Sequence, residues 1–545
     1  MKKNILFVLL FSLLFSRETI TLDFLKSKPK GIARDFYIWQ FLQDPKTSLQ
    51  EAIGAYELVF RKNDKIEQLI TQKGYIHELP KEVQCKKLPF EQLITQDPEC
   101  ISYGLKLSHI PTLSSQKTKQ LIEVLSQDYP LLSEEVRILR EKNPLQSALQ
   151  AQNAKIFSEI FYGLNFDQRL QYFNHQINPQ ALASLANQND PNFNKMLQYI
   201  LLSEHFKYFR QSILKAPITQ VDERLLILLG ISQLKDKNKE KAESYFKLAF
   251  KQAKMPLTKD KALFWQYLIS KDPSLLKELA KSTELNPYTI FASQTLKTKP
   301  QYTIVSELPE IKEGQPNFDI TNPFDWQILR KNLIDIPSGE ELKPILDQTL
   351  AFRSSAPHFS AMLNRIKKFR NNYFLMPYAS ELSWKSEHQK ALTFAIARQE
   401  SNLIPALIST SYALGMMQIM PFNLKPIAKA LGKSNMQLQD LFNPQVALEF
   451  GRFYLEELES EFKHPLFVAY AYNGGPGFWR RTLKKGQLFV KGGAYEPWIS
   501  LELIPYEESK NYGPLVLTNY IIYQELLGNP INLENFLAQT LRKEK

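Results

Sequence analysis

The sequence predicts a predominantly all-α chain of two or more domains, and three observations lead there. At 545 residues and 44% hydrophobic composition, the chain exceeds what a single core usually organises. From the N-terminal leader to about residue 300, apolar residues recur at helical spacing between short polar breaks, with few glycines and no alternating strand pattern. Between roughly residues 296 and 325, "KTKPQYTIVSELPEIKEGQPNFDITNPF" gathers Pro, Gly, Asn and charge, the composition of a domain connection.

Taken in order, residues 1–16 open with Lys2 and Lys3 and continue in an apolar run from Ile5 to Ser16, the layout of a secretory signal peptide. The run is short for a bilayer span, and no cysteine follows it to carry a lipid. Leu14 stands where a small residue is expected before cleavage, so the cut site is undefined and an uncleaved anchor is the alternative. Export to the periplasm follows from this reading. Cys85 and Cys100 are the two cysteines of the chain, and in an exported protein such a pair reads as one disulfide closing a short loop, against two free buried thiols. Seven histidines without HExxH or Cys/His ligand spacing predict no metal and no cofactor.

Residues 17–300 are predicted as an irregular α-superhelical domain. Its clearest unit is "ERLLILLGISQLKDKNKEKAESYFKLAFKQAKMPLTKDKALFWQYLI", where Leu225, Leu228, Leu229 and Ile231 form one face and Ala242, Tyr245, Phe246, Ala249 and Phe250 the next. That is the antiparallel helix-pair pattern of tetratricopeptide-like solenoids. A linker with connecting helices covers 301–371, and "RNNYFLMPYASEL" marks the entrance to a C-terminal domain at 372–545. The formal charge of +12 and a pI near 9.2 favour an anionic partner: nucleic acid, a membrane surface or an acidic cell-wall polymer.

The chemistry is concentrated in the C-terminal domain. "KALTFAIARQES" is apolar nearly all round from Ala391 to Ala397, which predicts a buried helix with Glu400 at its C-terminal end. Low dielectric and the negative end of the helix dipole both disfavour a carboxylate there, so Glu400 is prepared as a general acid. The competing reading has Glu400 projecting from a frayed helix end into water.

"GMMQIMP", with Gly415, Met417, Gln418 and Pro421, and "AYNGGPG" from Ala471 to Gly477, follow the Glu400-Ser401 pair in order, and "ELIPYEESKNY" closes the series. Together these motifs resemble the catalytic domain of the soluble lytic murein transglycosylases, over about the last 170 residues. The resemblance implies a lysozyme-like fold with Glu400 as the catalytic acid. It implies a sugar groove lined by Ser409, Gln418, Met420, Tyr472 and Glu502, with Asn473 shaping the turn beside it. Met417 is expected to touch sugar faces, and Glu502 to orient the substrate's acetamido group or Tyr472. The chain departs from the family at Tyr412, where glycine is usual, at Asn443 and Ala447 for Asp and Asn, at Ser509-Lys510 for Thr-Arg, and at "PFNLK" for small residues.

A glycosidase ordinarily flanks its bond with two carboxylates, and none obvious accompanies Glu400 in sequence. Family chemistry explains this: Glu400 serves as acid and then base, and the C6 hydroxyl of MurNAc replaces water to give a 1,6-anhydro end. The partner expected is the peptidoglycan glycan strand, held by a monomer, with cell-wall or secretion proteins and a peripheral membrane contact as further candidates and no nucleic acid. A hydrolytic muramidase related to goose-type lysozyme is the nearest rival, and a non-catalytic cell-wall scaffold the second. A piece beginning near Arg370 is expected to fold and keep some activity on soluble glycan fragments but to lose efficiency on intact sacculi.

Overall fold

The computed structural model describes residues 19–75, 80–308, 311–337, 341–368 and 370–543, so the signal peptide expected at residues 1–16 lies outside the described residues. The chain is almost entirely helical, as the sequence predicts. Among the described residues the strands are Thr303–Val305 and Asn371–Tyr373, paired in parallel with Ile304 opposite Asn372.

Many helices begin on the same local signal, an Asn or Asp followed by Pro. Asn143, Asn178, Asp190, Asp272, Asn286, Asn322 and Asn443 each accept a backbone N–H of the first turn through the side chain, and the following Pro fixes φ where no N–H is needed. The N-terminal helices stack in series. Ser115–Leu125 packs on Pro130–Arg140, that on Ala154–Gly163, and the succession continues through Pro191–Leu202, Glu223–Lys235, Lys239–Gln252 and Pro256–Ser270. In the helix pair singled out above, Leu225, Leu228, Leu229, Ile231, Ala242, Tyr245, Phe246 and Ala249 are buried. The Cα of Gly230 lets the Phe246 ring lie where a β-carbon would come within 2.6 Å of it, and that ring stacks on Trp265 at 5.7 Å. Cys85 and Cys100 are disulfide-bonded and form, with Leu93, a small core apart from the main one.

The connecting helices Pro323–Asp335, Leu342–Thr349 and Ala356–Ile366 have their own core around Trp326, Leu346 and Phe359, which reaches Ile404 of the C-terminal region. The main core runs unbroken from Leu25 to Leu537. Two contacts show how the ends of the chain interlock. Trp498 sits against Phe264 at 4.4 Å and Phe291 at 5.7 Å. Tyr412 is 1% exposed, with its ring 5.5 Å from Trp39 and 6.0 Å from Phe36, and its hydroxyl accepts a hydrogen bond from Asn63 Nδ2 at 2.9 Å.

These contacts argue against the independence expected of a piece beginning near Arg370. Cut there, Tyr412 and Trp498 lose their aromatic partners and an apolar face is laid open to water. Residues 370–545 alone are expected to unfold far below the full chain, or to aggregate. Thermal unfolding followed by circular dichroism checks this, and a cooperative transition at the full-length midpoint would contradict it.

Candidate active site

The helix Glu387–Ser401 carries the candidate acid. Ser386 caps its start by accepting Gln389 N–H at 3.1 Å, and Asn402, left-handed at φ 51°, ends it by donating to the carbonyls of Ala397 and Arg398. Every residue from Ala391 to Ala397 is buried. Arg398 locks the last turn in place: Nη1 donates to Asn519 Oδ1 at 2.6 Å, Nε donates to the Tyr373 carbonyl at 2.8 Å, and the guanidinium covers the Phe374 ring. Ser401 Oγ donates to the Met416 carbonyl at 2.7 Å, tying the helix end to the Gly415-Met416 turn.

Glu400 is partly buried rather than free in water. Its Oε1 accepts the Tyr512 hydroxyl at 2.5 Å. Burial pushes its pKa up to about 7, the Tyr512 hydrogen bond opposes the rise, and the negative charge of Glu508 adds to it. Tyr512 comes from Glu507–Leu526, a long helix packed across the acid helix. The approach of this helix to Pro465–Gly474 depends on Gly513, whose β-carbon would fall 2.3 Å from the Tyr470 ring.

The loop from 402 to 420 folds around Gly415. At φ 74°, a β-carbon there would lie 2.1 Å from the Leu441 carbonyl oxygen, so glycine alone fits. Gln418 Nε2 donates to the carbonyls of Gly415 at 2.8 Å and Leu407 at 3.2 Å. Ser409 Oγ accepts from Ala413 N at 2.9 Å and Ser411 N at 3.2 Å, and so closes the turn that carries Tyr412. Met420 is partly exposed at the head of Pro421–Ala430. Tyr472 donates its hydroxyl to the Met417 carbonyl at 2.6 Å, and burial first, with the nearby Glu400 carboxyl second, holds that phenol protonated. Asn473 bridges two helices, accepting from Ser509 Oγ at 2.7 Å and donating to Glu508 Oε1 at 3.1 Å.

Two expectations are corrected. Met417 is fully buried, packed into the space over Gly451, so it supports the loop and touches no open groove. Glu502 does not reach Tyr472: it is 4% exposed, with Oε2 on Lys261 Nζ at 2.9 Å and Oε1 accepting the Tyr288 hydroxyl at 2.9 Å. Burial acts against its charge, but Lys261 and Lys510 outweigh it and hold Glu502 below the usual carboxylate range. It is an internal ion pair between the N-terminal and C-terminal regions. The carboxylate that Glu400 senses is Glu508, which sequence reasoning missed along with Tyr512; both stand inside the quoted "ELIPYEESKNY".

The departures from the family pattern find physical substitutes. Asn443 caps Pro444–Phe462 by accepting Gln445 N–H at 2.9 Å, and Ser509 keeps a hydroxyl for Asn473. Tyr412 sits at φ 66°, a left-handed conformation that suits glycine, and is held there by the aromatic and Asn63 contacts already described. Beside Glu400 opens a cavity of about 610 Å³, walled by residues 400–408 on one side and by the connecting helices on the other. Among the described residues no group of three or more His, Cys, Asp or Glu is placed to hold a metal ion.

Comparison with known proteins agrees with the motif reading. Residues 377–489 match the family described as the transglycosylase SLT domain. The soluble lytic murein transglycosylase of Salmonella typhimurium is 30% identical over 141 residues, 26% of this chain and 21% of its own length. That of Escherichia coli K12 is 30% identical over 145 residues, 26% and 22% of the two chains. The chain thus matches about a fifth of the length of these curated relatives. Among solved structures, the 70-kDa soluble lytic transglycosylase of Escherichia coli aligns with 96% of this chain and 84% of its own at 16% identity and a TM-score of 0.47. The lytic transglycosylase Slt of Pseudomonas aeruginosa, solved as an inactive mutant, aligns with 92% and 83% at 17% identity and a TM-score of 0.45.

The raised pKa of Glu400 makes a stability prediction. Its folded value of about 7 lies above the ordinary 4.5, so between these values the folded state binds more protons than the unfolded one and stability falls as pH rises. Glu400→Gln removes this dependence. The variant is expected to match wild type near pH 4 and to exceed it by about 3 kcal/mol above pH 7.5. Denaturant unfolding at the two pH values checks the sign. Tyr512→Phe, which takes away the hydrogen bond favouring the carboxylate, is expected to move the Glu400 titration to higher pH by about one unit.

Proposed function

We propose, from a C-terminal region that carries a transglycosylase SLT domain, that the protein is a peptidoglycan lytic transglycosylase acting in the periplasm. The observation that carries the reading is a single partly buried carboxyl, Glu400, still protonated near neutral pH and gripped by a tyrosine hydroxyl in a desolvated corner.

Glu400 donates its proton to the oxygen bridging MurNAc C1 and GlcNAc C4 as the C1–O bond breaks, and the GlcNAc leaves as its 4-hydroxyl. The substrate's own acetamido group or ring oxygen stabilises the cation at C1. Glu400, now a carboxylate accepting the Tyr512 hydrogen bond, takes the proton of the MurNAc C6 hydroxyl while O6 attacks C1. The 1,6-anhydro bond forms, Glu400 is protonated again, and no water is consumed. Orienting the acetamido group falls to Glu508, which Asn473 holds, rather than to Glu502. Gln418 and Tyr472 fix the loop and helix that shape the groove.

The hydrolytic alternative rests on that same Glu508, an exposed second carboxylate that could activate water. Product mass separates the two. Sacculi digested by the mature protein are expected to release muropeptides lighter by one water and without a reducing muramic acid end; reducing MurNAc as main product would move the protein to the hydrolases. Glu400→Gln is expected to lower solubilisation by roughly 10²–10⁴-fold with folding retained, and a folded variant of near-normal activity would remove Glu400 from the mechanism.

A further inference from the structure

The superhelical region holds a cavity that the reaction at Glu400 does not use. It opens between the turn Leu107–Thr112 and the helices Pro130–Arg140 and Ala154–Gly163, has a volume of about 880 Å³ and lies outside the matched residues 377–489. Leu105, Leu107, Leu132 and Leu164 make its walls apolar, and Leu131 and Tyr162 line it while each 40% exposed. Large apolar side chains left this far in water beside a cavity of ligand size mark a surface that gains by being covered.

The buried part of the lining is acidic. Glu135 is 3% exposed, and its Oε1 has no hydrogen-bond partner among the described residues. Its carboxyl is hydrogen-bonded to that of Glu159 on Ala154–Gly163, a contact two carboxyls make only around a shared proton. Burial first, and Glu159 second, hold Glu135 well above the usual carboxylate range. Lys155 lies 3.9 Å from Glu159 Oε1, and with half its side chain in water it is a weak countercharge. The other charged and titratable groups on the lining are Asp128 and Lys106, both exposed, with Tyr129 and Tyr162. On the helix of Glu135 itself, Arg137 is engaged with Glu134 and Glu141. A buried carboxyl oxygen without a partner beside a second carboxyl is costly, and a positively charged donor relieves it.

We infer that this cavity receives a lysine side chain from an apolar peptide segment of a partner protein, with the ammonium between the Glu135 and Glu159 carboxyls and the flanking residues on Leu131 and Tyr162. An ammonium carries three donors on a compact charge, enough to serve both carboxyls, and its four-carbon stem suits leucine walls. The exposed Leu131 and Tyr162 extend the apolar surface beyond the reach of one side chain, which favours a peptide over a free amine. On a chain of formal charge +12, an acid-lined cavity is also where a cationic segment meets least repulsion. As the ammonium enters, the shared proton leaves to solvent, and no covalent bond forms or breaks. The site goes beyond the reaction at Glu400 and does not depend on it.

The test titrates the full chain, by calorimetry, with the peptide acetyl-Leu-Lys-Leu-amide and with the same peptide acetylated at the lysine Nζ. The charged peptide is expected to bind about tenfold tighter or more than the acetylated one. Because one proton is displaced while lysine stays charged, its affinity is expected to rise by roughly tenfold per pH unit between pH 6 and 8. Glu135→Gln is expected to abolish this pH dependence and to weaken binding at pH 8 by about tenfold, with folding retained by circular dichroism. Glu159→Gln, on the other helix, is expected to do the same. Equal affinity for the two peptides, binding indifferent to pH, or no binding of either overturns the site. If n-hexylamine binds as tightly as the charged peptide, the peptide occupant is overturned.

Discussion

Removing water from the last turn of Glu387–Ser401 is the constraint on which the candidate site depends. A carboxyl at a solvated helix end would ionise at its ordinary pKa and have no proton to give near neutrality. Here burial outweighs the Tyr512 hydrogen bond, which pulls the other way, and the balance leaves Glu400 at about 7. Both directions suit the proposed role of acid and then base: desolvation keeps the proton on, and the tyrosine hydroxyl steadies the anion. Much of the surrounding structure fixes this turn. Arg398 binds it to the strand Asn371–Tyr373 and to Asn519, Ser401 to the Met416 carbonyl, and Gly513 allows the packing around the helix that brings Tyr512.

What could be read in the sequence was local. Glu400 ends an unbroken apolar helix, and burial follows from that pattern alone. The helical faces of 223–252 and the cystine were legible for the same reason: each is decided within a few residues or by compartment. Glu502 and Glu508 show the limit. They stand six positions apart in one motif-bearing segment, and only tertiary packing turns the first toward Lys261 and Tyr288 and the second toward Asn473. Met417 failed similarly, because a methionine suits a sugar face and a buried hole equally well, and the hole over Gly451 is made by a helix more than thirty residues away.

The N-terminal helices do more than accompany the C-terminal region. Lys261 neutralises, and Tyr288 hydrogen-bonds, a carboxylate that the helix Trp498–Glu502 buries, and replacing Lys261 would leave an uncompensated buried charge. Gln294 exchanges hydrogen bonds with Ile531 and Leu533, holding the chain's last helix. The division into domains that composition suggests is therefore not a division of the hydrophobic core, which passes through both regions without a break.

Tyr412 carries a consequence for how this chain can change through descent. Its aromatic ring packs against Phe36 and Trp39 and its hydroxyl against Asn63, residues about 350 to 375 positions upstream, while its backbone takes the left-handed shape that a glycine would adopt freely. Recombination that imported a catalytic segment with glycine there would leave a void at the junction, and one that imported foreign N-terminal helices would leave the ring unhoused in a strained backbone. Neither half can be exchanged for a relative's without the other. The two regions form a matched pair at this junction, and a change of size at Tyr412 calls for a compensating change at Phe36 or Trp39.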